Sequence, residues 1–115
     1  MLLNIVEKTV EPGITVLELT GRLALGRESQ RIESLVEELA KKGSAKVVLD
    51  LTGVEYIDSA GIGMLALAAG KLKEAGGVMA VVAPEGGRVL QLLNLTQMNS
   101  IVKVCPTVAA AAAAV

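Results

Sequence analysis

Fold and site both hinge on "VVLDLTGVEYIDSAGIGML", residues 47–65. The stretch opens as a short, nearly continuous apolar run, as in a parallel strand covered on both faces. It closes in a helical pattern: Ile62, Leu65, Ala66, Ala69 and Leu72 share one stripe of a segment running from Ser59 to Ala75. The strand is expected to end near Leu51. A loop is then expected across "TGVEYID", with a helix starting at Asp58 or Ser59. Ser59 thus stands at a strand's carboxyl end and at a helix N-terminus.

The flanking segments extend this pattern. Upstream, "LNIVEKTV" and "ITVLELTG" read as two strands around Pro12-Gly13. Ile14, Val16, Leu17 and Leu19 alternate imperfectly, as in a strand buried on more than one side. In "GRESQRIESLVEELAKKG", Ile32, Leu35, Val36 and Leu39 fall at i, i+3, i+4 and i+7 of a helix that Gly43 stops. Downstream, Gly76-Gly77 ends the central helix and "VMAVVA" is another buried strand. Pro84 can open a third helix as its first residue, with Val89, Leu92, Leu93 and Thr96 on its buried side. "IVKV" is a last short strand.

The order ββαβαβαβ predicts an α/β domain with a mixed, mostly parallel sheet of about five strands. The domain is expected over residues 1–108. Residues 109–115 form an alanine-rich tail, read as a loosely packed helix or a disordered end.

Composition removes several function classes. Phe and Trp are absent and Tyr occurs once, so the core is aliphatic and single-strand stacking platforms are missing. Eleven basic residues against twelve acidic ones leave no basic surface for nucleic acid. No apolar run reaches membrane-spanning length, and no signal peptide is expected at "MLLNIVEKTVE". The single cysteine, Cys105, forms no intramolecular disulfide and fits a cytoplasmic setting. With no histidine, neither Ser-His-Asp nor Cys-His catalysis can be assembled within this chain. A G-x-S-x-G elbow also fails, because Ile57 stands where the first glycine belongs. No G-x-x-x-x-G-K-[ST] loop is present.

For Ser59 two readings stay open. Asp and Ser at a helix start are ordinary N-caps. Equally, a phosphate of about −1.5 to −2 charges would be stabilised there by the first-turn N–H groups. Gly61 and Gly63 would let a partner approach the backbone closely. Asp58 reads first as a cap. Asp50 reads as a bonding partner for nearby backbone N–H groups. Tyr56 is either an exposed anchor for a partner or a cover for its loop. Arg22 either steers towards an acidic partner or is simply solvated. Met64 and Met98 read as packing residues.

Residues 47–63 resemble the signature of STAS domains, specifically of bacterial anti-sigma factor antagonists: an apolar strand ending in D-L, a Val, then D-S-[SA]-G-[apolar]-G. "ITVLELTGRL" resembles the family's second strand and G-x-L turn, and residues 76–104 its closing strand, helix and strand. The resemblance implies a binding switch and no enzyme. Ser59 would be phosphorylated by an anti-sigma factor that is also a serine kinase, and reset by a phosphatase. The unphosphorylated form would bind that kinase and free a sigma factor. The chain itself would need no cofactor, since ATP and Mg²⁺ belong to the kinase. Asp58, Ser59, Ala60, Gly61, Gly63, Tyr56, Arg22 and Ala24 would form the partner surface. One position departs from the family pattern: "GRLALG" has Ala24 where antagonists often carry Asp, with Arg22 and Arg27 flanking the turn. The alternative function is a STAS scaffold or regulatory subunit of a stress-signalling complex or a transport system.

Overall fold

The computed structural model describes residues 3–11, 13–24, 27–43 and 46–115. Five strands lie side by side in chain order: β1 (Asn4–Glu11), β2 (Ile14–Leu23), β3 (Lys46–Ile57), β4 (Val78–Val82) and β5 (Lys103–Cys105). β1 and β2 form an antiparallel hairpin. Every later pair is parallel. The parallel pairs require crossovers, which α1 (Arg27–Lys41), α2 (Ser59–Glu74) and α3 (Arg88–Leu95) supply. Gly13 makes the hairpin turn at φ +83, and Pro12 lies outside the described residues. The α/β architecture expected from the sequence, with a mixed, mostly parallel sheet of five strands, is the architecture observed.

Two-residue periodicity divides the central strands between two cores. Leu17, Leu19, Leu49, Leu51 and Val81 face α1, α2 and α3 in a large aliphatic cluster. Ile14, Val16, Val48, Ala80 and Val82 face the other way. β2 is therefore buried on both faces, which explains its broken alternation. α1 contributes Ile32, Val36 and Leu39, and α2 contributes Ile62, Leu65, Ala69 and Leu72. Each such Leu, fully buried, contributes roughly 1.5–3 kcal/mol. Met64 and Ala68 also belong to the α2 core, whereas Ala66 only packs against its margin. Met98 is buried, in keeping with a packing role. α1 and α2 are further joined by Lys71, whose ammonium lies 2.7 Å from Glu33 and also pairs with Glu37. Bonding to Glu33 and then Glu37 holds Lys71 protonated well above the ordinary lysine range. Its bond to Lys71 keeps the Glu37 carboxyl ionised to lower pH than usual.

Four boundaries differ from the sequence expectation. β3 does not stop at Leu51 but continues to Ile57, because β2 also continues and pairs with it through Leu23↔Ile57. Register shifts after Glu18 and Gly21 accommodate the extension. Gly53, which reads as a loop signal, is a close-approach residue instead: a Cβ there would lie 2.5 Å from Thr20 Cγ2. The third helix starts at Arg88 with Gly87 as its N-cap, not at Pro84. Gly86 at φ +78 is left-handed, and the Gly87 N–H donates to the Pro84 carbonyl, so residues 84–87 form a turn. Thr96 is exposed rather than buried. It ends the helix by donating its hydroxyl to the Leu92 and Leu93 carbonyls at 2.9 and 3.2 Å. The last strand is displaced to Lys103–Cys105 by a 3₁₀ turn at Met98–Ser100, which leaves Ile101 exposed.

The alanine-rich end is a helix, α4 (Val108–Ala114). Seven residues are too few to hold a helix alone, since isolated helices shorter than about 12–15 residues are marginal. Here Thr107 caps the start, its Oγ1 accepting from the Ala110 N–H at 3.1 Å. Lys103 Nζ donates to the Ala114 carbonyl at 2.6 Å. Ala111 is fully buried against the second face of the sheet. Among the described residues no helix is long and apolar enough to cross a membrane.

Candidate functional site

The parallel strands β2 and β3 end together. Arg22 lies beside Tyr56 and Leu23 beside Ile57. This is the carboxyl end of the sheet, where open α/β folds place their ligand and partner sites. The chain then turns sharply. Asp58 is extended (φ −117, ψ −177), and its N–H donates to the Leu23 carbonyl at 3.3 Å. Its Oδ1 accepts from the Gly61 N–H at 2.9 Å, and its own carbonyl accepts from the Ile62 N–H at 3.0 Å. Asp58 is thus the N-cap of α2, as expected. Ser59 is the first helical residue and is exposed. With the capping role taken by Asp58, the Ser59 hydroxyl is not the group that starts the helix.

Gly61 occupies a different place from the one its motif suggests. It is buried, and a Cβ built on it would lie 2.3 Å from the Leu23 carbonyl oxygen. Its lack of a side chain lets α2 sit against the end of β2. It therefore serves the fold and does not lie open to a partner. Gly63 is the reverse case: exposed, with nothing within 4 Å of an added Cβ. It lies one turn beyond Ser59 on the same side of the helix. Ala60 is half-buried beside the hydroxyl.

The remaining expected residues gather at the same end. Arg22 is exposed, and its guanidinium carbon stands 4.1 Å from the centroid of the Tyr56 ring. Tyr56 is 42% exposed, so it presents a ring to solvent and does not cover a loop. Ala24 follows Leu23 in a bend, half-buried, and brings no carboxylate to the site. The side chain of Arg27 lies outside the described residues. Asp50 is set back from the site on β3, its Oδ1 accepting from both the N–H and the hydroxyl of Thr52.

A groove beside Tyr56 was not legible in the sequence. It is bounded by Tyr56, Arg88, Leu92 and Leu95, and Leu95 is 75% exposed. Its shape depends on α3 starting at Arg88, and the position of the helix start is what the Pro84 signal misplaces. Among the described residues, no three Asp, Glu or Cys side chains converge as metal ligands would.

The chain belongs to the STAS domain family, whose model matches residues 6–111. A Thermotoga maritima protein named "Putative anti-sigma factor antagonist" is 35% identical over 75 residues, 65% of this chain and 66% of that protein. The matched stretch thus spans just under two thirds of that relative's length. The crystal structure of a Thermotoga maritima protein of the same description superposes with a TM-score of 0.83 at 28% identity, covering 96% of this chain and 93% of that one. An anti-sigma factor antagonist from Mycobacterium paratuberculosis shares the fold, with a TM-score of 0.81 at 24% identity over 98% and 93% of the two chains.

Proposed function

We propose that this chain is an anti-sigma factor antagonist whose binding is switched by phosphorylation of Ser59. The observation that carries the reading is the division of labour at the start of α2: Asp58 caps the helix, and Ser59 stands exposed as its first residue. The similar proteins bearing the antagonist description support the partner class.

Ser59 is an acceptor in this reading, and the chain is no enzyme. An anti-sigma factor with serine kinase activity brings ATP and Mg²⁺. Ser59 Oγ attacks the γ-phosphorus, the bond to the departing ADP oxygen breaks, and the hydroxyl proton passes to a base on the kinase. A phosphatase later hydrolyses the ester. The product phosphate meets the first-turn N–H groups and the positive end of the α2 dipole, so the modified chain stays folded. At a closed interface the same dianion opposes binding through desolvation and repulsion of acidic neighbours. The partner surface comprises Ser59, Ala60, Gly63, Tyr56 and Arg22 around Asp58, with Ala24 at its edge. Lacking a carboxylate at Ala24, the site suits a kinase that reads Arg22 in its place. The setting is cytoplasmic, where sigma factors act.

Mass spectrometry after incubation with ATP and a cognate anti-sigma factor kinase tests the reading. One phosphate is expected, on the peptide containing Ser59, and none on Ser59→Ala. An adduct that persists in Ser59→Ala contradicts it.

A further inference from the structure

We propose that Arg22, parked on the Tyr56 ring, is the internal counter-ion for a phosphate on Ser59, and that phosphorylation draws its guanidinium off the ring. The proposal rests on Ser59 being the modified residue, and the test below separates the two claims.

The geometry gathers cation, ring and hydroxyl at one end of the sheet. Arg22 and Tyr56 are register partners on adjacent strands, roughly 4.8 Å apart at the backbone. Ser59 follows Tyr56 by three residues, a chain distance of at most about 11 Å. The bond from the Asp58 N–H to the Leu23 carbonyl ties the residue after Arg22 to the residue before Ser59. The guanidinium, 4.1 Å from the ring centroid, is held near the site by a contact with no hydrogen-bond geometry to lose.

Among the described residues, the other charged groups beside this strand end are Asp58, Glu55 and Arg88. Asp58 accepts from the Gly61 N–H. Glu55 and Arg88 line the groove beside Tyr56, whose lining does not include Arg22. An exposed cation–π contact is weak. An arginine–phosphate contact is charge-assisted and bidentate, roughly twice as strong as a neutral hydrogen bond. A phosphate on Ser59 therefore wins the competition for Arg22. One covalent change then alters three surface groups: the serine gains charge, the arginine is sequestered and the ring is uncovered. A partner that reads Arg22 loses it upon phosphorylation.

The test installs phosphoserine at position 59 during translation, so that no kinase is involved. Titrating the phosphate by phosphorus NMR in the parent and in Arg22→Gln is expected to give a second pKa higher by roughly 0.5–1 unit in the variant. Arg88→Gln is expected to leave it unchanged. Tyr56 is the only aromatic residue, so its fluorescence is expected to change when phosphoserine replaces Ser59 in the parent but not in Arg22→Gln. Identical phosphate titration in the parent and Arg22→Gln overturns the proposal, as does a shift confined to Arg88→Gln. If the Arg22 dependence holds while the kinase leaves Ser59 unmodified, the counter-ion assignment is supported and the kinase reading fails.

Discussion

Replacing Gly61 by alanine is expected to destabilise the fold by about 2 kcal/mol, in the range of core overpacking. The new methyl group would lie 2.3 Å from the Leu23 carbonyl oxygen and 3.1 Å from Ile57 Cγ1. Backbone is the nearer obstacle, and it is fixed on both sides: Leu23 by its pairing with Ile57 and by its bond to the Asp58 N–H. Either α2 lifts from the end of β2 or the cap bond at Asp58 breaks. In thermal unfolding the midpoint should fall by roughly 8 °C or more. Gly63→Ala is the internal control. It adds a methyl group into open space on the same helix and should gain up to about 1 kcal/mol from helix propensity. Equal effects from the two substitutions would contradict the assignment of Gly61 to the fold and Gly63 to the surface.

Ser59→Asp is expected to weaken binding to the anti-sigma factor by about 10- to 100-fold, or ~1.4–2.8 kcal/mol. Aspartate carries one negative charge where phosphoserine carries about −1.5 to −2, so the substitution sets a lower bound on the effect of the modification. Loss of fold does not account for weaker binding here. Ser59 is exposed in the first turn of α2, where a carboxylate is favourable by about 0.3–1 kcal/mol. Calorimetry should therefore show weaker binding by a variant at least as thermally stable as the parent. Unchanged affinity would mean that Ser59 lies outside the contact surface.

Much of this organisation can be read from local sequence signals. The paired faces of β2, the aliphatic core, the cap at Asp58 and the start of α2 at Ser59 follow from residue type and spacing over a few positions. What escapes is decided by neighbours distant in the chain. Gly53 looks like a loop residue until Thr20 of β2 is placed beside it, 2.5 Å from where a Cβ would stand, and only the pairing with residues 20–23 shows that β3 reaches Ile57. Gly61 and Gly63 are indistinguishable as motif glycines. They differ only in what each faces, the Leu23 carbonyl or open space. Pro84 is a sound helix-start signal overridden by the left-handed Gly86. The stacking of Arg22 on Tyr56 joins residues 34 positions apart and follows from strand register alone. α4 shows the complementary limit: propensity favours a helix of alanines, but its docking depends on the apolar floor formed by Ile14, Val16, Val48, Ala80 and Val82.

The central claim is that one surface binds the anti-sigma factor and that a phosphate on Ser59 closes it. The direct measurement adds the chain to a preformed complex of the cognate anti-sigma factor and its sigma factor, and follows sigma release by fluorescence anisotropy. The unmodified chain should displace the sigma factor stoichiometrically, and the chain carrying phosphoserine at position 59 should not displace it at the same concentration. Equal release by the two forms, or none by the unmodified chain, would contradict the account.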